Sequence, residues 1–255
     1  MTAPLRTAAA PAPEAHTEAR VDLAAAFRWF ARLGMHESIA NHMSVAVSAD
    51  GSRFLINPCR LHFSRVTAGS LLLLDAHDPT TLDKPDAPDP TAWYLHARLH
   101  ARLPHARCVM HLHSKYATAL ASLADSTMHP IDMNTARFFG RVAVDDGFAG
   151  MALSDEEGDR QAALMTEGKT VLLMANHGVL VIGATVADAF DELYYFERAA
   201  ETLITCYGTG QPLRVLPDEV ARLTEQQWRG YSRFATDHLD NVKAILDEEE
   251  PGYRG

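Results

Sequence analysis

The residues of this chain best suited to chemistry are three histidines. His111 and His113 close an apolar run, Cys108-Val109-Met110, that reads as a strand. In a strand, residues two apart point to the same face. Both imidazoles therefore leave the sheet side by side, where one cation can bridge them. A third imidazole, His177, follows the apolar run Thr170 to Met174 and precedes Gly178. Three neutral ring nitrogens with an open fourth position suit a catalytic divalent metal. The competing reading is of ordinary polar residues at strand ends. His-x-His ending one buried strand, with His-Gly after a second, favours the metal.

The elements that must hold these groups follow from periodicity. Arg20 to Leu33 carries Val21, Ala24, Phe27 and Ala31 at helical spacing, and Gly34 ends it. Asn41 to Val47 alternates as a strand, Asp50-Gly51 is a hairpin turn signal, and Phe54-Leu55-Ile56 returns. Leu71 to Asp75 is a further short buried run. Residues 76–90 are rich in Pro and Asp and read as a loop. No domain boundary is placed there, because the motifs on either side must cooperate. Trp93, His96, Ala97 and His100 mark a helix closed by Pro104, and Ser114 can cap the next, Lys115 to Leu123. Glu156 to Thr166 reads as helix, and Thr170–Met174 and Gly178–Ile182 as strands. From Thr185 a long amphipathic helix runs to Gly208. The expectation is an α/β fold, with a mixed sheet and helices on its faces.

Bulk properties bound the function. The chain has 255 residues and is 47% hydrophobic, enough for a core without disulfide staples. Its net charge of −10 argues against a general nucleic-acid or anionic-membrane surface. An acidic substrate stays open, because a local Arg can bind one. Cys59, Cys108 and Cys206 form neither a CxxC site nor a disulfide framework, and read as reduced thiols of a cytoplasmic protein. Residues 1–20 read as a flexible Ala/Pro arm rather than a signal peptide, and no apolar run approaches membrane-spanning length. Residues 21–215 carry the motifs. Residues 216–255 read as a polar helical extension whose Glu248-Glu249-Glu250 run is a solvated tail.

Five ordered segments resemble the class II aldolase/adducin family. Asn41-His42-Met43-Ser44 resembles its Gly-Asn-x-Ser segment, and Ile56-Asn57-Pro58 its strand-ending Pro motif. Val66 to Leu71 resembles its ITxxDLV segment, Met110 to Ser114 its HxHS, and Asn176-His177-Gly178 its NHG. The resemblance implies a single three-layer α/β/α domain around a mostly antiparallel mixed sheet. It also implies a cytoplasmic homotetramer with sites near subunit boundaries. It gives His111, His113 and His177 the metal-ligand role, with zinc as the usual cation and manganese or iron as alternatives. In such enzymes the cation polarises a ketone and stabilises an enediolate.

Three departures from the family pattern shape the functional reading. Where the aldolases carry the Glu of Ser-Ser-Glu, this chain has Ala92. Where they carry the Gly of Pro-x-Gly, it has Arg60, which suits a carboxylate better than a phosphate nest. Where they supply a Tyr proton donor, it reads His129 to Asn134, and Asp132 is the nearest group able to move a proton. Asp132 is thus the candidate catalytic residue, and Asn41, Arg60 and Asn134 are candidate substrate contacts. His62 and His96 read as structural.

The resulting expectation is a metal-dependent carbon–carbon lyase. It would perform aldol cleavage or decarboxylation on a small non-phosphorylated oxo- or hydroxy-acid. The same three histidines are also compatible with a non-haem iron oxygenase. The fold alone is compatible with a non-catalytic, adducin-like interaction module.

Overall fold

A computed structural model describes residues 16–148, 150–166, 168–231 and 233–255 of the chain. Seven strands form one sheet: β1 (His42–Ala46), β2 (Arg53–Ile56), β3 (Leu72–Asp75), β4 (Cys108–Leu112), β5 (Val142–Asp145), β6 (Val171–Met174) and β7 (Gly178–Gly183). Their order is β3-β2-β1-β4-β7-β6-β5. Every pairing is antiparallel except β5 with β6, which is parallel. This is the mostly antiparallel mixed sheet expected. The β1–β2 hairpin turns where Asp50-Gly51 predicts it. Asp50 Oδ1 accepts from the Ser52 amide and from the Ser48 and Ser52 hydroxyls. Gly51 has φ 77°, and a Cβ there would lie 2.6 Å from the His100 carbonyl oxygen.

Among the described residues eight α-helices accompany the sheet: α1 (Thr17–Arg32), α2 (Pro90–Arg102), α3 (Lys115–Ala121), α4 (Met133–Ala136), α5 (Asp155–Leu164), α6 (Val186–Gly208), α7 (Asp218–Arg229) and α8 (Phe234–Glu249). Alternate strand residues pack on opposite sides, as the pleat requires. Met43, Val45, Cys108, Met110, Leu112, Val179 and Val181 join Phe27 of α1, Phe190 and Phe196 of α6 and Leu246 of α8 in one core. On the other face, Val109, Leu172, Leu180 and Ile182 meet Leu95 and Leu99 of α2 and Ala162 of α5. Ala46, Phe54 and Ile56 meet Ala92 and Ala97 of α2. The result is three layers, α/β/α.

The ends differ from expectation. Residues 1–15 of the proposed arm lie outside the described residues. Residues 17–20 of that arm are already helix, because the buried Arg20 guanidinium donates to the Ala68 and Leu71 carbonyls and anchors the first turns. At the other end, the acidic run is not simply a solvated tail. Glu249 and Glu250 pair with Arg32, and Glu250 also pairs with Arg28. Leu239, Val242, Leu246 and Tyr253 are buried in the main core. β5 and α4 had no clear sequence signal, both being only four residues long.

Candidate metal centre

The β4 register sends Val109 and His111 to the α2 side of the sheet, opposite Met110 and Leu112. β4 ends at Leu112, and His113 follows on the same side. The Nε2 atoms of His111 and His113 come within 3.0 Å of each other. His177 reaches them from the β6–β7 turn. Asn176 takes φ 58° in that turn and donates its amide to the Ala121 carbonyl. Gly178 is required next: a Cβ there would lie 2.6 Å from the Leu112 carbonyl oxygen and 2.8 Å from His113 Cδ2. The His177 ring centroid stands 4.8 Å from that of His111 and 4.7 Å from that of His113. One nitrogen from each of the three rings lies within 4.8 Å of the others.

The outward nitrogens are also fixed. His111 Nδ1 donates to the Val179 carbonyl oxygen at 3.0 Å. His113 Nδ1 lies 2.7 Å from Glu37 Oε2. His111 therefore presents Nε2 inward, and the Nδ1 contacts give both rings the supporting partners that ligating histidines carry. Burial holds the pKa of His111 well below its ordinary value, with neighbouring His42 adding to the effect. Burial, and then His113, bring His177 to about 4. Neutral imidazoles are ligand-competent, which suits His111 and His177, and the clustering of all three side chains fits a divalent cation.

The triad forms part of the wall of a cavity of about 400 Å³. Asn41 and Arg60 are brought to its wall. Asn41, at φ 74°, accepts from the Glu37 amide through Oδ1, while its buried Nδ2 has no partner among the described residues. Arg60 has φ 61°, the left-handed conformation that favours glycine. Ala92 lines the same cavity, and its methyl group leaves room where a carboxylate side chain would project.

Asp132 and Asn134 are not brought to this cavity. Asp132 caps α4, with Oδ1 accepting from the amide and hydroxyl of Thr135. Those bonds occupy Oδ1 of the carboxylate, and Asn134 lies on the same short helix.

Sequence reading missed other groups at the site. Asp89 is the N-cap of α2, and its Oδ1 accepts from the amide and hydroxyl of Thr91. Burial works to raise its pKa, but the Thr91 bonds and nearby His42 hold it below the ordinary value. The Pro-Asp composition around it masked a lining residue as a loop residue. Glu37 had no role assigned, because it reaches His113 across 76 positions of sequence. His42 also lines the cavity, its ring 5.0 Å from that of His111. His96 is structural, as expected. It is fully buried and bonds His42 Nδ1 at 2.7 Å. His62 packs against His36, with Nε2 atoms 3.1 Å apart.

The sequence matches the Class II Aldolase and Adducin N-terminal domain family over residues 21–204. A Caulobacter vibrioides protein carried under an aldolase class 2 name is 31% identical over 242 residues, covering 94% of this chain and 93% of its own. Decarboxylase NovR of Streptomyces niveus is 29% identical over 205 residues, covering 80% and 75%. Among solved structures, an aldolase II superfamily protein from Pseudomonas syringae superposes with a TM-score of 0.85 at 29% identity, covering 96% of this chain and 98% of that one. The chain belongs to the class II aldolase and adducin family.

Proposed function

We propose that the chain is a metal-dependent carbon–carbon lyase acting on a small non-phosphorylated oxo- or hydroxy-acid, by aldol cleavage or decarboxylation. The observation that carries this reading is the convergence of three histidine nitrogens in one cavity with Arg60. His111, His113 and His177 hold the cation, zinc in first place and manganese or iron as alternatives. A cation bound there supplies Lewis acidity, polarising a substrate oxygen and stabilising enolate charge as the carbon–carbon bond breaks.

The rest belongs to the protein's own residues. Arg60 forks onto the substrate carboxylate. The unpartnered Asn41 amide donates to a substrate oxygen. Ile39, Leu95 and Phe148 form apolar walls that limit water. Ala92 leaves no carboxylate at the position where the aldolases use one, which favours a reaction in which CO₂ departs without prior proton removal. The similarity to a protein named as a decarboxylase supports the same direction. The proposed assembly is a cytoplasmic homotetramer with closed symmetry.

Elemental analysis of protein purified without chelators tests the metal. About one equivalent per chain is expected, and most of it should be lost in His111→Ala and His113→Ala. Unchanged metal content in both variants would overturn the assignment. A screen of oxo acids, hydroxy acids and hydroxy aldehydes then tests the reaction. Efficient cleavage of fuculose or ribulose phosphate would overturn the carboxylate reading. Light scattering at micromolar concentration tests the assembly, and a monomeric mass would exclude the tetramer.

A further inference from the structure

Behind the triad, a hydrogen-bonded chain crosses from β1 to α2. His42 and Ser44 are two apart on a strand, and His96 and His100 are four apart on a helix. Each pair therefore shares a face, and the two faces meet. His100 Nδ1 lies 2.7 Å from the Ala106 carbonyl oxygen. His100 Nε2 lies 2.7 Å from Ser44 Oγ. Ser44 Oγ also bonds His96 Nδ1. His96 Nε2 lies 2.7 Å from His42 Nδ1. Ser44 and His96 are completely buried, and His100 and His42 nearly so.

The direction of every bond follows from one end. A carbonyl oxygen can only accept, so the single proton of neutral His100 is on Nδ1. His100 Nε2 is then an acceptor, and only the Ser44 hydroxyl can supply it. With that proton committed, Ser44 Oγ accepts from His96 Nδ1–H. His96 Nε2 is therefore a lone pair and accepts from His42 Nδ1–H. Neutral His42 has no second proton, so its Nε2 is bare. Among the described residues no group bonds that nitrogen, and His42 lines the cavity beside His111.

We infer that His42 Nε2 is held as an unprotonated acceptor facing the cavity, where it receives a hydroxyl of the ligand seated beside the triad. Ser44, His96 and His100 are positioning residues that fix its tautomer. The inference rests on the proposal that the triad holds a metal and the cavity a small ligand. It narrows the substrate class to molecules with a hydroxyl donor next to the metal-bound oxygen. The sequence carries the device as His42-x-Ser44 and His96-x-x-x-His100, a pattern separate from the three ligand histidines.

Neutron diffraction from deuterated crystals of the protein as purified, at neutral pH, locates the protons directly. Deuterium is expected on Nδ1 of His42, His96 and His100, with none on His42 Nε2. Ser44→Ala removes the link between His96 and His100. His96 is then free to place its proton on Nε2 and push that of His42 to its own Nε2. Unaltered protonation of His42 in Ser44→Ala would remove the positioning role.

Calorimetric titration with two metal-chelating probes tests the acceptor. Glycolohydroxamate carries the extra hydroxyl, and acetohydroxamate lacks it. The natural protein should favour glycolohydroxamate by about 2- to 10-fold, the worth of one hydrogen bond. The preference should vanish in His42→Phe and shrink in Ser44→Ala. Equal affinities in the natural protein, or a preference that survives both changes, overturn the inference. If neither hydroxamate binds, the metal proposal fails and the ligand half of the inference falls with it. A deuterium on His42 Nε2 overturns the inference with the metal proposal intact.

Discussion

Glu37 and Arg60 each make a test at the scale of a single residue. Glu37 is largely exposed, with its side chain at 58% relative accessibility, yet it fixes the ring of His113 through Nδ1. Supporting partners of ligand histidines typically matter 10- to 100-fold for metal affinity. Glu37→Gln should therefore weaken metal binding by about one order of magnitude, with the fold unchanged. Competition with a chromogenic chelator measures the shift, and affinity within twofold of the natural protein would exclude the role. Arg60 occupies a backbone conformation that favours glycine. Arg60→Gly should relieve backbone strain on the order of 1 kcal/mol and remove the guanidinium at once. Denaturant melts should show equal or greater stability, while kcat/KM for a carboxylate substrate falls by about two orders of magnitude or more. A variant that keeps its activity would mean that the acid group is held elsewhere. The three clustered histidines were legible because type and spacing both point to metal. Arg60 and Asn41 were legible through the resemblance. Glu37 and Asp89 were not, because nothing local to 37 or 89 reveals a neighbour brought there by the sheet.

At the scale of elements, strands and long helices were legible and the short pieces were not. Apolar periodicity over Val186–Gly208 and the alternation over His42–Ala46 decide those elements locally. β5 and α4 depend on β6 and α6 for their packing, so their own residues carry little signal. Asp132 shows the same limit: a carboxylate near a site motif reads as chemistry, but it caps α4. The α2 helix illustrates what an element does to titration. Burial pushes the pKa of His100 down to about 4 and that of His96 well below its ordinary value. The unfolded chain, with histidines near 6.5, binds more protons than the folded protein below that pH. Stability should therefore be intact above about pH 6.5 and fall as pH drops toward 4, by about 1.4 kcal/mol per pH unit for each such histidine. Denaturant melts between pH 7 and pH 5 measure this slope, and His100→Phe should make it shallower. A slope unaltered in that variant would show that His100 does not drive the acid sensitivity.

At the scale of the whole molecule, the C-terminal segment closes the core rather than extending from it. Its polar composition, and an acidic run at Glu248–Glu250, hid that role in the sequence, because only a thin stripe of α8 is apolar. That stripe, Leu239, Val242 and Leu246, packs in the core shared by α1 and α6. Beyond it, the Tyr253 carbonyl accepts from the Ala68 amide, and the Tyr253 side chain is fully buried. Arg28 and Arg20 hold the same 66–71 segment from α1. The chain end, the first helix and the loop before β3 therefore brace one another, and they should unfold together. Leu246→Ala should cost about 2–5 kcal/mol, the usual range for a fully buried leucine whose site collapses only in part. Glu249→Gln touches the same helix but removes only an exposed ion pair, and should cost less than about 1 kcal/mol. Both are measured by urea denaturation at one fixed protein concentration, since assembly couples to stability. A single cooperative transition that shifts as a whole in Leu246→Ala is the expected result. A separate early transition confined to that variant, with the main one unmoved, would make residues 216–255 an independent unit.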